Sequence, residues 1–337
     1  MKEISAGYQI IQDSDALKKI EKIARVCYKS EDKISDGSDK IMFKNLLNRN
    51  HTAMIEHASL AYIVPEGLYK ELQKKVKKLY SVRTSNSAIK DEHRNYLRFS
   101  KYTLPNGRVR FIVSGNLRAW LQTFQLIMEA YNWLPISILN SLALETKEQI
   151  VFDLPKVVGS YPAMLVKDYL DLAPQERLIH EDLSVLFTVD RGVTHELVRM
   201  RECSFAQEST RYCNYSNGKF GNEITCVTPC FWADKETSPQ YALWRGACEE
   251  AEKAYFALMQ MEGVKPQEAR DVLPQSVKAE ITMTAPLGEW YHIFALRACD
   301  STGPAHPQMK EVMVPLLKEV KNNPYFGGIF DNLVIPE

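Results

Sequence analysis

The sequence carries no surplus of either charge: Lys+Arg and Asp+Glu both number 42, so the formal net charge is zero. That excludes a global field drawing the chain to polyanions or a membrane surface, and it confines any anion binding to local clusters. No uninterrupted apolar run reaches the ~18 residues of a membrane helix, and residues 1–30 contain no apolar core of signal-peptide type. Cysteine is scarce and odd in number: seven residues, at 27, 203, 213, 226, 230, 248 and 299, lack the spacing of a disulfide framework. Reduced thiols fit this pattern, and a cytoplasmic protein is expected.

What is present is ordinary for a globular chain, with 45% hydrophobic and 25% charged residues. At roughly 150 residues per domain, 337 residues allow two domains, or one large domain with a sizeable insertion. A short strand is expected at Tyr8 to Ile11. A helix should follow, capped by Asp13 or Ser14, with Leu17, Ile20, Ile23 and Val26 at helical spacing. Further along, the pattern predicts a helix over Lys40 to Leu47 and a strand over His57 to Pro65. Leu68, Leu72, Val76 and Leu79 then stripe a lysine-rich helix. Its Lys70, Lys74, Lys75, Lys77 and Lys78 read as a solvated face rather than a nucleic-acid surface.

Strands are predicted near Val109 to Val113, Asp182 to Asp190 and Ala279 to Ala285, with helices through Trp120 and Leu142. Others should cover Val193 to Met200, Glu236 to Met261, Gly288 to Leu296 and His306 to Val320. Pro307 suits the first turn of the last one, and Pro315 should kink it. Two weak internal echoes stand out: Ser59 to Gly67 resembles Ser184 to Gly192, and Ser114 to Trp120 resembles Thr284 to Trp290. Their offsets differ, which excludes a regular array and leaves two readings, a decayed partial duplication or chance similarity.

The densest polar segment runs from Arg199 to Tyr215. Its three arginines and three hydroxyl residues supply enough donors to hold a phosphate, with arginine offering planar bidentate contacts, and spacing alone equally allows an arginine-rich surface paired with nearby acids. On a continuous helix Arg199 and Arg201 would diverge by about 200°, so they could serve two ligands. Metal chemistry has weak support, since Cys226 and Cys230 supply two ligands without a second pair.

This segment resembles the signature of flavin-dependent thymidylate synthases, in which Arg-His-Arg is followed after seven residues by Ser and two places later by Arg-Tyr. Here it reads Arg199-Met200-Arg201, Ser209, Arg211-Tyr212. Ala24 to Tyr28, His51 to His57, Val272 to Pro274 and Phe294 to Ala298, then His306 and Gln308, fall in the family's order. The resemblance implies an α+β fold with a mixed or antiparallel sheet and flanking helices. Its core would be residues 1–66 and 183–337, with residues 67–182 as a large α/β insertion.

It further implies a homotetramer with sites between subunits, using FAD, NADPH and methylenetetrahydrofolate to convert dUMP to dTMP. Arg297 would contact the pyrimidine and favour its ionised form. Glu196, Arg199, Gln207, Glu208, Ser209, Thr210, Arg211 and Lys278 would hold dUMP with it. His51, Ala53, Arg199, Met200, Arg201, Gln207, His292 and His306 would line the flavin. No metal and no nucleic-acid or membrane partner is implied.

Four departures accompany the match, the first being Glu196 where short family members have glutamine. Met200 stands where the signature has histidine, and Pro286-Leu287-Gly288 stands where the family has an Asn-x-Arg that touches FAD. Asn116-Leu117-Arg118 in the insertion offers that pattern instead. Glu280 occupies the place of a nucleotide-binding arginine, with Lys278 two residues earlier able to share its strand face. Related readings are a different one-carbon transfer to another pyrimidine nucleotide, or a non-catalytic paralogue with a degraded flavin site.

Overall fold

The structure is a computed structural model that describes residues 1–13, 15–70, 72–74, 76, 97–122, 164–211, 213–216, 221–232 and 238–336. Ser14, Lys75, Lys77, Lys78, Leu79, Tyr212, Glu236 and the helix expected through Leu142 lie outside the described residues. The chain divides into two compact units: unit 1 comprises Met1–Asp39 with Leu183–Glu337, and unit 2 comprises Lys40–Asp182. Helices and largely antiparallel sheets occur in both, an α+β arrangement.

Unit 1 opens with β1 (Lys2–Ile4) and β2 (Gly7–Ile10). Helix α1 (Ala16–Tyr28) is capped by Asp15, whose carboxylate accepts the N–H groups of Leu17 and Lys18. Asp13, the residue expected to cap, instead accepts the N–H of Asp15. Helix α2 (Ser38–Asn48) starts at the unit boundary.

In unit 2, β3 (Ser59–Val64), β4 (Leu97–Thr103), β5 (Val109–Asn116) and β6 (Met164–Leu165) form a sheet in the order β4-β5-β3-β6, with every neighbouring pair antiparallel. Helical residues 117–122 follow β5 directly. Helix α3 (Pro174–His180) packs on β4 and β5. It brings His180, fully buried, between Ser114 and Ser100, each 2.7 Å from one ring nitrogen. Arg98 grips Asp182 through two bonds of 2.5 and 3.1 Å, and Ser59 donates to the same carboxylate.

Unit 1 resumes with β7 (Asp182–Asp190), α4 (Arg191–Leu197), β8 (Ser204–Gln207), β9 (Thr225–Val227), α5 (Pro239–Met259), β10 (Lys278–Pro286), α6 (Leu287–Arg297) and α7 (Pro307–Asn322). The main sheet runs β2-β7-β10-β8, while β1 and β9 form a separate parallel pair. Consecutive positions 281–285 of β10 are all buried, so both faces of this central strand are covered. Helix α1 packs on β8 and β10, α4 and α6 on β10, and α7 on α6 and β2. Helix α7 passes through Pro315, whose missing N–H leaves the Glu311 carbonyl without its helical donor. Among the described residues no helix is long and apolar enough to cross a membrane.

Candidate functional site

In unit 1, β7 ends at Asp190, and this residue caps α4 by accepting the Val193 N–H at 2.7 Å. Its other carboxylate oxygen accepts from the Gln308 side chain, reaching in from the first turn of α7. These groups face a cavity of about 250 Å³ lined by Asp190, Gly192, Val193, Glu196, Gln275, Ser276, His306 and Gln308. Burial raises the Asp190 carboxyl above the ordinary carboxylate range and Glu196 adds to the rise, against opposing backbone bonds and His306. Space at Gly192 is tight: a Cβ would stand 3.0 Å from Asp190 Oδ1 and 3.3 Å from Gln275 Oε1.

Glu196 lies 3.7 Å from Arg297 Nη1, so the final turn of α6 comes to the outward side of α4. The Arg297 Nε and the Arg191 Nη1 are buried without a hydrogen-bond partner among the described residues. Helix α4 stops at Leu197 rather than Met200, because Arg199 and Met200 tighten into three-residue bonds to the carbonyls of Glu196 and Leu197. Arg199 and Arg201 therefore lie on a turn, not on a helix, and the 200° divergence does not apply. Both are exposed, and neither forms an ion pair among the described residues.

The next residues alternate. Gln207 and Ser209 are half-buried, while Glu208 and Thr210 turn inward and Arg211 is exposed. Gln207 donates to Thr194 Oγ1 at 3.2 Å, and Arg270 donates to Thr210 Oγ1 at 3.4 Å. Glu208 joins a closed ring: Lys29 and Lys278 reach it at 2.9 and 3.0 Å, and both also pair with Glu280. Burial alone would raise the Glu280 carboxyl, but Lys278 and Lys29 outweigh it and hold the group below its usual range. For Lys29 burial opposes the charge, and Glu208 with Glu280 reverses that, holding the ammonium above its usual range. Lys278 and Glu280 do share a strand face, but the cation is balanced by two carboxylates rather than left to an anion.

The remaining expected residues are spread. His292 is exposed on α6, where burial raises the neighbouring Glu289 carboxyl and His292 only partly opposes the rise, and His306 caps α7 with its ring accepting the Gln308 N–H at 3.3 Å. His51 and Ala53 belong to unit 2, on the turn before a short 3-10 helix, Met54–His57. In the same unit Arg118 pairs with Glu56, so the Asn116-Leu117-Arg118 pattern meets the His51 to His57 motif. Asn116 accepts the Ala119 N–H at 2.8 Å.

Sequence reasoning did not single out Asp190, Gln275, Ser276, Lys29 or Glu56 as site residues. An acid ending a strand just before a helix was the available signal for Asp190. Lys29 had none, since its partner Glu280 is 251 residues away.

The chemistry of the donor set suits a phosphate-bearing ligand. Arg191, Arg199, Arg201 and Arg211 fall within one segment whose acids are partly engaged, Glu208 by lysines and Glu196 by Arg297. Met200 offers apolar contact and no polar ring. Among the described residues no group of three or more metal-ligating side chains is present.

Residues 160–323, just under half of the chain, match the family model described as Thymidylate synthase complementing protein. A flavin-dependent thymidylate synthase of Pyrococcus abyssi is 32% identical over 145 residues, 42% of this chain and 56% of that protein. One from Geobacter sulfurreducens is 30% identical over 133 residues, 40% of this chain and 53% of that protein. The match thus spans about half the length of these relatives. A solved UMP/dUMP methylase, PolB from Streptomyces cacaoi bound with 5-Br dUMP, aligns over 100% of both chains at 15% identity, with a TM-score of 0.40.

Proposed function

We propose that this chain converts dUMP to dTMP by reductive methylation, with FAD as cofactor, methylenetetrahydrofolate as one-carbon donor and NADPH as reductant. The observation that supports this reading is the turn after α4, which among the described residues presents Arg199 and Arg201 without acid partners beside the Glu196–Arg297 pair. Bound flavin would supply two-electron hydride chemistry.

The chain's own residues would do the rest. Gln207, Ser209 and Arg211, on the outward side of their segment, would hold the nucleotide's sugar and phosphate. Arg297 would set a fixed cation against the pyrimidine and stabilise negative charge on the ring, with Glu196 orienting the guanidinium. Arg199 and Arg201 would take the cofactor's phosphates, with Met200, His292 and His306 lining the flavin. His51 and Ala53 complete the set that the resemblance assigns to the flavin. A homotetramer is part of this reading.

One observation favours a second reading. The Lys29–Glu208–Lys278–Glu280 ring leaves no net cation where the resemblance places a nucleotide arginine, which suits transfer to a different pyrimidine nucleotide.

Parallel incubations of the purified chain with FAD, NADPH, methylenetetrahydrofolate and either dUMP or another pyrimidine nucleotide (UMP, CMP or dCMP), with products identified by mass spectrometry, test both. Formation of dTMP supports the first reading, and a hydroxymethylated or other nucleotide product supports the second. Unchanged dUMP and a colourless protein that takes up no FAD would refute both, pointing to a non-catalytic paralogue.

A further inference from the structure

The two units repeat one arrangement. Divide the sheet strands in chain order into two halves, β2, β3, β4, β5 and β6, β7, β8, β10, and number each half from first to fourth: both sheets then run first, second, fourth, third, as β2-β7-β10-β8 and β6-β3-β5-β4. In each unit the fourth strand passes straight into a helix whose tryptophan donates to a carbonyl at the start of the second strand. Trp290 bonds Leu183 at 2.9 Å, and Trp120 bonds Leu60 at 3.1 Å. The third strand pairs in equivalent register, Ser204 with Thr284 and Arg98 with Ser114. The helix lying in sequence between first and second strands packs on the third and fourth: α1 on β8 and β10, α3 on β4 and β5.

Chain order crosses this repeat. Strand β2 and helix α1 precede β3 in sequence but pack with β7, β8 and β10, whereas β6 and α3 precede β7 but pack with β3, β4 and β5. Each sheet is therefore completed by the leading strand and helix of the other half. Two similar sheets in one chain could each accept either helix, so something must distinguish them.

Position ten before the tryptophan differs in sign: Glu280 in unit 1 and Arg110 in unit 2. The docked helices carry the complement. Lys29 at the C-terminal end of α1 pairs with Glu280 and Glu208, and buried Glu176 in the first turn of α3 pairs with Arg110 at 3.0 Å. The helices approach from opposite ends, yet each delivers its charge to the same strand position. We infer that the chain is a strand- and helix-exchanged internal duplication, and that these inverted ion pairs decide which helix docks on which sheet. A misdocked α1 would set Lys29 against Arg110, and a misdocked α3 would set Glu176 against Glu208 and Glu280. A charge left unpaired or opposed at such partly desolvated sites is strongly destabilising. The inference does not depend on the proposed activity.

The test reverses charges in the full chain and reads both melting temperature and carbodiimide cross-links between lysine and glutamate. Wild type should cross-link Lys29 to Glu208 or Glu280. Lys29→Glu and Glu176→Lys should each lower the melting temperature by about 10 °C. Arg110→Glu combined with Glu176→Arg should recover most of the single-variant loss, which separates a specific pair from general damage. With Lys29→Glu and Glu176→Lys together, the helices match the opposite sheets, and a cross-link from position 176 to Glu280 should appear. Single reversals shifting the melting temperature by less than about 1 °C, failure of the Arg110/Glu176 reversal to recover stability, or the absence of the 176 to 280 cross-link would each overturn the inference.

Discussion

His180 makes unit 2 acid-sensitive in a calculable way. The ring is fully buried between Ser114 and Ser100, and burial, aided by the Arg98 charge and opposed by Asp182, pushes its pKa down from 6.5 to about 3. Neutral imidazole supplies one donor and one acceptor, which the two serine hydroxyls satisfy; a proton on the ring would have no such match. Because the folded pKa lies below the unfolded one, the unfolded state binds the proton first as pH falls. The stability tied to neutral His180 is therefore complete above about pH 6.5 and is lost progressively down to about pH 3. Each pH unit in that window removes about 1.4 kcal/mol, so going from pH 7 to pH 5 removes about 2 kcal/mol. Amide exchange of β4 and β5 peptides, followed by mass spectrometry between pH 7 and 5, reads this local loss. In His180→Gln the protection should be lower at pH 7 but nearly flat across the same range. Equal pH slopes in the two proteins would refute the reasoning, since the slope and not the absolute stability belongs to the titrating ring.

Further outcomes follow from other contacts. Arg297→Ala should lower turnover of the nucleotide by about 10²–10³ with little change in melting temperature, because the side chain is 25% exposed and pairs loosely at 3.7 Å; unchanged turnover in a steady-state assay would remove it from the site. Gly192→Ala forces a methyl to within 3.0 Å of Asp190 Oδ1 and should destabilise by about 1–3 kcal/mol, seen as a melting shift of several degrees. Trp120→Phe and Trp290→Phe each strip the donor from a strand carbonyl, at about 1–3 kcal/mol. The two should show similar losses by thermal unfolding if the repeat is energetically as well as geometrically equivalent. Arg118→Ala should weaken FAD binding several-fold by titration, and unchanged affinity would show that Asn116-Leu117-Arg118 does not replace Pro286-Leu287-Gly288.

What the sequence made legible was local. Strand β7 spans Asp182–Asp190, the run read from its alternating and continuous apolar residues, and α1 buries Ile20 and Ile23 from the stripe that defined it. The cap moved from Asp13 or Ser14 to Asp15, since only a residue directly preceding the first turn can accept from the N–H groups of Leu17 and Lys18. The end of α4 moved back because propensity does not record where bonds tighten to the three-residue type. The echo of Ser59 with Ser184 was off by two residues: the tryptophan bonds set Leu60 against Leu183, whereas Ser114 with Thr284 keeps the register of Trp120 with Trp290. A slip of two preserves which side chains face the core, so apolar similarity alone cannot detect it.

Glu280 shows why the rest needed three dimensions. Taken along the chain, an acid where the resemblance places an arginine reads as a defect in an anion site, and Lys278 reads as its repair. In the fold, Lys278 and Lys29 balance Glu208 and Glu280, two charges against two, so this ring neither attracts nor repels a phosphate strongly. Among the described residues, Arg199 and Arg201 have no ion-pair partner, and they lie on a turn that the helical reading would have splayed apart. The acid at position 280 is accounted for by the helix it holds, through a lysine 251 residues earlier. Under the proposed function, anion recognition in unit 1 would fall to the turn after α4 and to Arg211, and neutralising Arg199 or Arg201 should weaken nucleotide or cofactor binding far more than removing Lys278 does.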